Sequence, residues 1–409
     1  MQTGFPNIRH MRVFLEAAHT GSVSAAAERC HLSQPAATQA ITRLETDLGT
    51  PLLIRRRQQF ALTPCGEAFE KRATAALKHL SDGARAALRS QGKTSRRPTF
   101  DRAVTAAQLR TLIAIANTGS FTVAARHLDL SQPTVHRAAR SLEALAGVPL
   151  FTARPSGVAL TPATEAFVLG AKLAQAEIRQ GVEEISRELG EDQGTFVLGS
   201  LPLARTSIVP KAIHAMISAT AGVQIRVVDG RYPELLRSLR EGDLDCLIGA
   251  LRYPPPADDI TQTLLFRDAL AIVAHPNHPL AGRSNLRLED TLAYPWIAPP
   301  RETPAGQYLF DTLRIHERDQ TPVRVVSSSM VTLRGILSQG DYISIVSRHQ
   351  ISVDESLGMI TALDIPLEGH YRDIGLTTRR DWRPTETQAQ FIDYLHNFSH
   401  LPEDEPARD

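Results

Sequence analysis

The sequence predicts a multidomain protein: two small helix-rich domains of one pattern, followed by a larger α/β domain. Three observations predict it. A chain of 409 residues exceeds one ordinary core, since domains usually take about 100 to 200 residues. A sequence pattern recurs within the first half at a fixed offset. From Gly194 onward, helical periodicity gives way to apolar β-type runs separated by helical segments.

The repeat is read directly. Gly21-Ser22 matches Gly119-Ser120, Leu32-Ser33-Gln34-Pro35 matches Leu130-Ser131-Gln132-Pro133, and Leu44-Glu45 matches Leu142-Glu143, always 98 positions apart. Leu62-Thr63-Pro64 and Leu160-Thr161-Pro162 keep that offset, so no gap intervenes. In the first repeat Met11, Phe14, Leu15 and Ala18 recur at helical spacing, and Gly21 supplies the positive φ that ends a helix. Ser22 caps a second helix with the small residues Ala25, Ala26 and Ala27. After a turn through His31 and Leu32, Ser33 caps a third helix with the apolar stripe Ile41, Leu44 and Leu48, closed by Gly49.

Two short helices joined by a tight turn, the second exposing polar residues near its start, form a helix-turn-helix that fits a major groove. The exposed positions are expected to be Gln34, Pro35, Thr38, Gln39 and Thr42 in the first repeat. Gln132, Pro133, His136, Arg137 and Arg140 are their counterparts in the second. Gln and Arg reach base edges with paired hydrogen bonds, while Ser33 and Ser131 suit phosphates. Residues 51–62 place short apolar strands around the tip Arg55-Arg56-Arg57-Gln58-Gln59, which reads as a wing whose Arg55 and Arg56 meet the DNA backbone. Arg154 is the wing cation of the second repeat.

Charge supports a polyanion at the front. Residues 1–100 carry 15 Lys and Arg against 7 Asp and Glu, residues 101–189 carry 9 against 8, and residues 190–409 carry 21 against 29. A purely protein-docking three-helix bundle would account for the periodicity but not for the basic wing.

Thr63-Pro64 and Thr161-Pro162 each open a long helix. Phe69, Ala73, Ala76, Leu80, Ala84 and Ala87 align with Phe167, Ala171, Ala174, Ile178, Val182 and Ile185, one continuous stripe suited to pairing with another helix. Between the repeats, Gln91 to Pro98 is polar, basic and proline-terminated, and reads as a flexible linker.

These residues resemble the LysR-type transcriptional regulators. The run Gly-Ser, Ala-Ala, Leu-Ser-Gln-Pro, Leu-Glu, Gly-x-Pro-Leu-[Leu/Phe], Leu-Thr-Pro is similar to that family's DNA-binding domain and occurs twice, whereas the family ordinarily has it once. Gln39 stands where the family often has Arg; the second repeat keeps Arg137 but has only Arg154 in its wing and Thr164 in place of Gly66. The family pairs linker helices from two chains, so this chain either folds into a pseudo-dimer or carries its first repeat as a tethered auxiliary domain. Both readings stay open on sequence.

In the second half, β-type runs appear at 195–201, 223–228, 244–251, 270–274, 323–327 and 342–346, with a helix from Tyr232 to Glu241 closed by Gly242. Ligands in such sheets sit at strand carboxyl ends, beside helix N-termini. That rule selects Ser200, Leu201 and Thr206, then Gly230, Thr303, and Ser327, Ser328 and Ser329 as effector-binding candidates, although N-capping alone explains any one of them. The segment resembles the LysR effector domain, an α/β type 2 periplasmic-binding-protein-like fold of two subdomains, through Leu235 to Leu239 with Gly242-Asp243-Leu244-Asp245, His275 to Leu280, and Ser347-Arg348-His349-Gln350. Tyr294 to Ile297 with Pro299-Pro300 and Thr303-Pro304 is similar to the galactose-binding-protein regulator branch, which implies a sugar or organic-acid effector.

The fold class is therefore two all-α-rich winged helix-turn-helix domains followed by that effector domain. The expected division is 6–64 and 105–162 for the winged domains, 65–90 and 163–190 for their linker helices, and 91–104 for the flexible linker. The effector domain takes 194–400, with one subdomain from 194–267 and 367–400 and the other from 268–366.

Other functions fit less well. His275 and His278 lie among prolines without a third ligand, Asp243 and Asp245 belong to the structural motif just named, and no phosphate loop, nucleophile elbow or zinc signature occurs. Cys30, Cys65 and Cys246 are scattered and read as buried small residues. No catalytic residue, metal or cofactor is expected. A solute-binding transport protein would not need the winged domains, and a constitutive architectural DNA binder would not need a polar cleft. No apolar run is long enough to cross a bilayer, and MQTGFPNIRH lacks a signal-peptide core, so a cytoplasmic location is expected. The expected partners are double-stranded DNA, a small-molecule effector, further copies of the chain as a dimer or tetramer, and RNA polymerase.

Overall fold

The computed structural model describes residues 4–56, 59–90, 92, 100–155, 157–318, 321–369 and 371–399. The chain divides into two compact units, Met1–Gly194 with Glu241–Asp243, and Thr195–Arg240 with Leu244–Asp409.

In the first unit one order of elements occurs twice. Helices α1 (Ile8–Thr20), α2 (Val23–Arg29) and α3 (Gln34–Leu48) lead into a hairpin of β1 (Leu53–Arg56) and β2 (Gln59–Leu62), and then into the long helix α4 (Pro64–Arg89). Helices α5 (Ala106–Thr118), α6 (Phe121–His127) and α7 (Gln132–Ala146), strands β3 (Phe151–Arg154) and β4 (Gly157–Leu160), and helix α8 (Pro162–Glu188) repeat it. The caps repeat as well: the Ser22, Ser33 and Thr63 hydroxyls accept N–H bonds at helix starts, as do Ser120, Ser131 and Thr161. Gly21 and Gly119 end α1 and α5 at φ 65° and 62°, a conformation that a side chain would strain. Their carbonyls accept the N–H of Phe60 and Val158, which fastens each hairpin to its first helix.

The Leu-Glu motif also has a local role. Glu45 Oε1 accepts the N–H groups of Leu52 and Leu53 at 2.8 and 3.1 Å, and Glu143 Oε1 accepts those of Leu150 and Phe151 at 2.9 and 3.1 Å. Each glutamate thus ties the end of the third helix to the start of its wing.

Helices α4 and α8 pack against each other, and their contacts run in opposite directions along the chain. Arg72, early in α4, reaches Glu177, Gln180 and Glu184 of α8, whereas Gly83, late in α4, faces Ala166 and Gly170. The pair is therefore antiparallel. Phe69, Ala73, Ala76, Leu80, Ala84 and Ala87 are completely buried with Phe167, Ala171, Ala174, Ile178 and Ile185 in one core.

One expectation is corrected. Residues 100–104, assigned to the flexible linker, are docked: Phe100–Arg102 forms a 3-10 turn, Asp101 binds Arg12 Nη2 at 2.8 Å, and the Phe100 ring meets Phe167 edge-on at 4.8 Å. Gln91 and residues 93–99 of that linker lie outside the described residues.

The second unit holds two five-stranded sheets. One has the order β6-β5-β7-β14-β8, built from β5 (Thr195–Ser200), β6 (Gln224–Val228), β7 (Cys246–Ala250), β8 (Ile260–Asp268) and β14 (Arg372–Arg379). The other has the order β11-β10-β12-β9-β13, built from β9 (Leu270–Ala274), β10 (Trp296–Ala298), β11 (Val323–Val326), β12 (Ile343–Ser347) and β13 (Thr361–Ala362). Helices α9 (Ile208–Ala219) and α14 (Glu386–Asn397) pack together by the first sheet, with α10 (Tyr232–Arg240) on its other core. Helices α11 (Pro304–Gln307), α12 (Met330–Leu337) and α13 (Arg348–Ser356) belong to the second.

Strands β8, β10, β13 and β14 were not among the expected runs. Burial along β8 is irregular and its register with β14 shifts at Ile374/Gly375, so neither strand shows the clean alternation of a half-buried strand. They matter most for geometry, because the chain leaves the first sheet after Asp268 of β8 and re-enters it at Arg372 of β14.

Candidate nucleic-acid interface and effector cleft

The start of α3 presents Gln34, Pro35, Thr38, Gln39 and Thr42 to solvent, while Ala37, Ala40, Ile41 and Leu44 face the core. In α7 the exposed positions are Gln132, Pro133, His136, Arg137 and Arg140, above buried Val135, Ala139 and Leu142. Every side chain singled out on the two helices thus lies on the open face. Ser33 Oγ and Ser131 Oγ accept the N–H groups of Ala36 and Thr134 at 3.4 and 3.3 Å, so both serve as caps, and the Ser131 hydroxyl also shares a 2.8 Å hydrogen bond with Thr134 Oγ1.

The two faces differ in charge. Arg137 contacts Thr134 Oγ1 at 3.4 Å, and Arg140 pairs with Glu143 at 2.6 Å. Burial would raise the Glu143 carboxyl, but the N–H groups of Leu150 and Phe151 and the Arg140 guanidinium overcome it and hold the group below its usual range. His136 packs its ring against Phe121 at 5.1 Å, and Phe121 in turn meets Phe151. Wing residues Arg55, Arg56 and Arg154 are exposed; Arg57 and Gln58 lie outside the described residues.

Beneath these faces, Arg72 fixes the α4–α8 seam. Its guanidinium donates to Gln180 at 2.7 Å, Glu177 at 3.1 Å and Glu184 at 3.0 and 2.5 Å, with only 6% of the side chain exposed. Burial opposes its charge, yet the bonds to Glu184 and Glu177 outweigh that and raise its pKa. Sequence periodicity marked this stripe but gave no sign of the polar cluster, because the acceptors lie more than 100 residues away.

In the second unit, Ser200 is buried at the end of β5 and donates to Leu201 O at 3.3 Å. The Leu201 side chain covers Gly249 of β7, Thr206 Oγ1 lies 3.5 Å from Leu203 O, and Gly230 is exposed after β6. Thr303 caps α11 while donating to Pro300 O at 2.7 Å, Ser327 Oγ accepts the Ser329 N–H, Ser329 caps α12, and Ser328 is exposed. Four strand ends therefore carry these residues, and the bonds they make are local.

A cavity of about 260 Å³ lies beside α11, its lining including Pro304, Gln307, Tyr308, Leu270 and Arg372 but none of those eight residues. It adjoins a polar junction that sequence reading missed. Asp268 is buried where the two sheets join, taking Ser347 Oγ at 2.8 Å, the His349 N–H at 3.3 Å and the Arg372 guanidinium. Two of its partners lie in the Ser347-Arg348-His349-Gln350 motif, but nothing marked Asp268 or Arg372, because Asp268 stands 79 residues from Ser347 and 104 from Arg372.

The remaining polar candidates are structural. His278 Nδ1 accepts the Leu280 N–H and His275 Nδ1 accepts that of Asn277; among the described residues no cluster of three metal-type ligands occurs. Asp245 is buried and accepts the Val197 N–H at 2.8 Å. Burial pushes the Cys246 thiol up to about 12, which leaves it unreactive.

The "LysR substrate binding domain" model matches residues 189–399, and the "Bacterial regulatory helix-turn-helix protein, lysR family" model matches twice, at 8–67 and 106–165. The chain is 30% identical over 374 residues to the HTH-type transcriptional regulator GalR of Pseudomonas putida, covering 91% of this chain and 92% of that one. It is 27% identical over 277 residues to the regulator PcaQ of Agrobacterium fabrum, covering 68% of this chain and 89% of PcaQ. A variant of full-length OxyR from Pseudomonas aeruginosa has a similar fold, with a TM-score of 0.51 at 20% identity over 72% of this chain and 94% of that one. The GalR alignment leaves too little of this chain aside to omit the first repeat, whereas the PcaQ alignment leaves out about a third of it.

Proposed function

Because the chain belongs to the LysR family of bacterial transcriptional regulators, we propose that its two repeats are winged helix-turn-helix domains paired within one chain as a two-headed reader of DNA. The protein is a DNA-binding transcriptional regulator with an effector-binding domain, and not an enzyme. The observation that carries the two-headed reading is the antiparallel packing of α4 on α8, which joins the two linker helices of a single chain. The double match at 8–67 and 106–165 and the length of the GalR alignment support it.

In this reading Gln34, Thr38, Gln39 and Thr42 on one head, and Gln132, His136, Arg137 and Arg140 on the other, enter successive major grooves beside Pro35 and Pro133. Ser33, Ser131, Arg55, Arg56 and Arg154 hold phosphates. Each chain supplies the two heads for which a single-repeat regulator needs two chains, so a dimer of this protein carries four. No helix among the described residues is long and apolar enough to cross a membrane, and a cytoplasmic location accords with reading DNA.

The effector is a small polar molecule held between the two sheets. Ser200, Leu201, Thr206 and Gly230 follow parallel strands of one sheet, and Thr303, Ser327, Ser328 and Ser329 follow parallel strands of the other. Hydroxyls and helix N-termini at such ends favour a sugar or an organic acid. Binding acts on transcription only by its difference in affinity between the DNA-bound arrangements of the protein. A constitutive architectural role has no use for this domain and is not favoured.

The test is a footprint of the purified protein on the DNA upstream of its own gene, titrated with sugars and organic acids. Two adjacent half-sites protected per bound chain, with a pattern that one class of compound alters, is the expected result. One half-site per chain would contradict the paired heads.

A further inference from the structure

We infer that the DNA site read by one chain is asymmetric: a guanine-bearing half-site read by α7 lies beside an A·T-rich half-site held by α3 and the Arg55–Arg56 wing. This rests on the paired-head reading above and adds which head takes which sequence.

The first step is that the seam joins unlike helices. With the repeat offset of 98, Arg72 of α4 corresponds to Gly170 of α8, and Gly83 corresponds to Gly181. At one crossing Gly83 meets Gly170, and at the related crossing Gly181 lies under Arg72, where a Cβ would stand 3.0 Å from Arg72 Cβ. The acceptors Glu177, Gln180 and Glu184 correspond to His79, Asp82 and Ala86. An α4–α4 pair would set Arg72 against those three, exchanging two glutamates for the single carboxylate of Asp82. An α8–α8 pair would set Glu177, Gln180 and Glu184 against Gly170, two buried carboxylates with no cation. Only the unlike pair gives Arg72 both glutamates together with Gln180, which favours one head of each kind in every pair.

The second step is that the two heads have different chemistry. The exposed face of α7 carries Arg137, Arg140 and His136, and its wing has Arg154. The matching face of α3 carries Gln39, Thr42 and Thr38, all neutral, while its wing has Arg55 and Arg56. Arginine pairs with guanine O6 and N7 in the major groove; glutamine pairs with adenine N6 and N7, and a threonine methyl meets that of thymine. Arginines outside the groove find the strongest negative potential over a narrow A·T-rich minor groove. Sequence information is therefore concentrated on the α7 side, and backbone grip on the α3 side.

The experiment is selection of bound sites from a randomised DNA duplex by the full chain, with Arg137→Gln and Gln39→Arg in parallel. The wild type is expected to select two unequal half-sites, and R137Q to lose guanine discrimination by about ten- to a hundredfold in one half only. Q39R should add guanine to the other half and make the site more nearly palindromic. Both positions are exposed, and matching thermal melts confirm that the variants fold. If the wild type selects a palindrome, or R137Q changes both halves alike, the inference is overturned while the paired heads stand. Selection of a lone half-site, or of no sequence, overturns the paired-head reading and the asymmetry with it.

Discussion

Gly170 of α8 lies so close to α4 that a methyl group on it would stand 2.5 Å from the His79 carbonyl oxygen and 3.0 Å from the Cα of Gly83. The obstacle is backbone, which cannot swing aside as a side chain does. Backbone approach of this kind is what small residues at a helix crossing allow, and it keeps the two linker helices of one chain together. Gly170→Ala should therefore destabilise the first unit by about 1–3 kcal/mol, even though alanine favours a helix over glycine by about 1 kcal/mol. Gly335→Ala, at a helical position with open space around the new methyl, is the control and should be neutral or stabilising. Thermal unfolding of the two variants checks both; equal effects would refute the crossing.

Replacing Arg72 by Met leaves Glu177 and Glu184 in the seam without their cation. Breaking such a pair should cost about 3 kcal/mol, the low end of the range for buried pairs, since 24% of Glu184 is exposed. Adding Glu177→Met and Glu184→Met to Arg72→Met should recover most of the loss, because an apolar cluster needs no cation. Urea midpoints of the single and triple variants measure it.

Asp268 of β8 bonds Ser347 and His349 at the second sheet, and Arg372, its cross-strand neighbour in the first sheet, neutralises it. Arg372→Met leaves the Asp268 carboxylate buried with only the Ser347 hydroxyl and the His349 N–H as donors. The expected loss is about 3–5 kcal/mol in the second unit. Asp268→Asn with Arg372→Met should be milder, since the buried charge is gone. Differential scanning calorimetry reads the transition; an unchanged melt would show that the pair does not hold the junction.

His278 gives the pH dependence a sign. Burial lowers its pKa from the usual 6.5, with Asp341 opposing, so the folded protein favours the neutral ring. The unfolded chain then binds the proton more readily, and the stability from this residue is full above pH 6.5 and lost as pH falls from there toward the folded value. His278→Asn should flatten that part of the stability profile in urea titrations between pH 7 and 5. A profile as steep as the wild type's would assign the dependence to another group.

The repeat was legible because its two copies keep one ungapped offset, and each copy's caps, from Ser22 to Thr161, follow local rules that neighbours in sequence enforce. The exposed residues of α3 and α7 were legible for the same reason: helical periodicity assigns Ala37 and Val135 inward and leaves Thr38 and His136 outward. The partner of a buried stripe is different. Phe69 to Ala87 announce that one face of α4 is covered, but α8 and an α4 of another chain would cover it alike, and only the Arg72 cluster separates them. The same holds for Asp268, whose acceptor role depends on residues far along the chain, and for β8, whose threonines and irregular burial hide its place in the sheet. Residues 100–104 looked like linker because Asp101 and Phe100 carry no local pattern, although Arg12 and Phe167 dock them.

The claim that the two heads read DNA together is tested most directly by titrating a labelled duplex from the upstream region with three proteins: wild type, Gln34→Ala with Thr38→Ala, and Gln132→Ala with Arg137→Ala. Each pair of changes lies on an exposed helix face, so folding should be retained. The paired-head account predicts that either double variant alone loses specific affinity by at least about tenfold, as removal of a base-reading contact does. Full affinity after disabling one head would make that repeat an accessory domain and contradict the account.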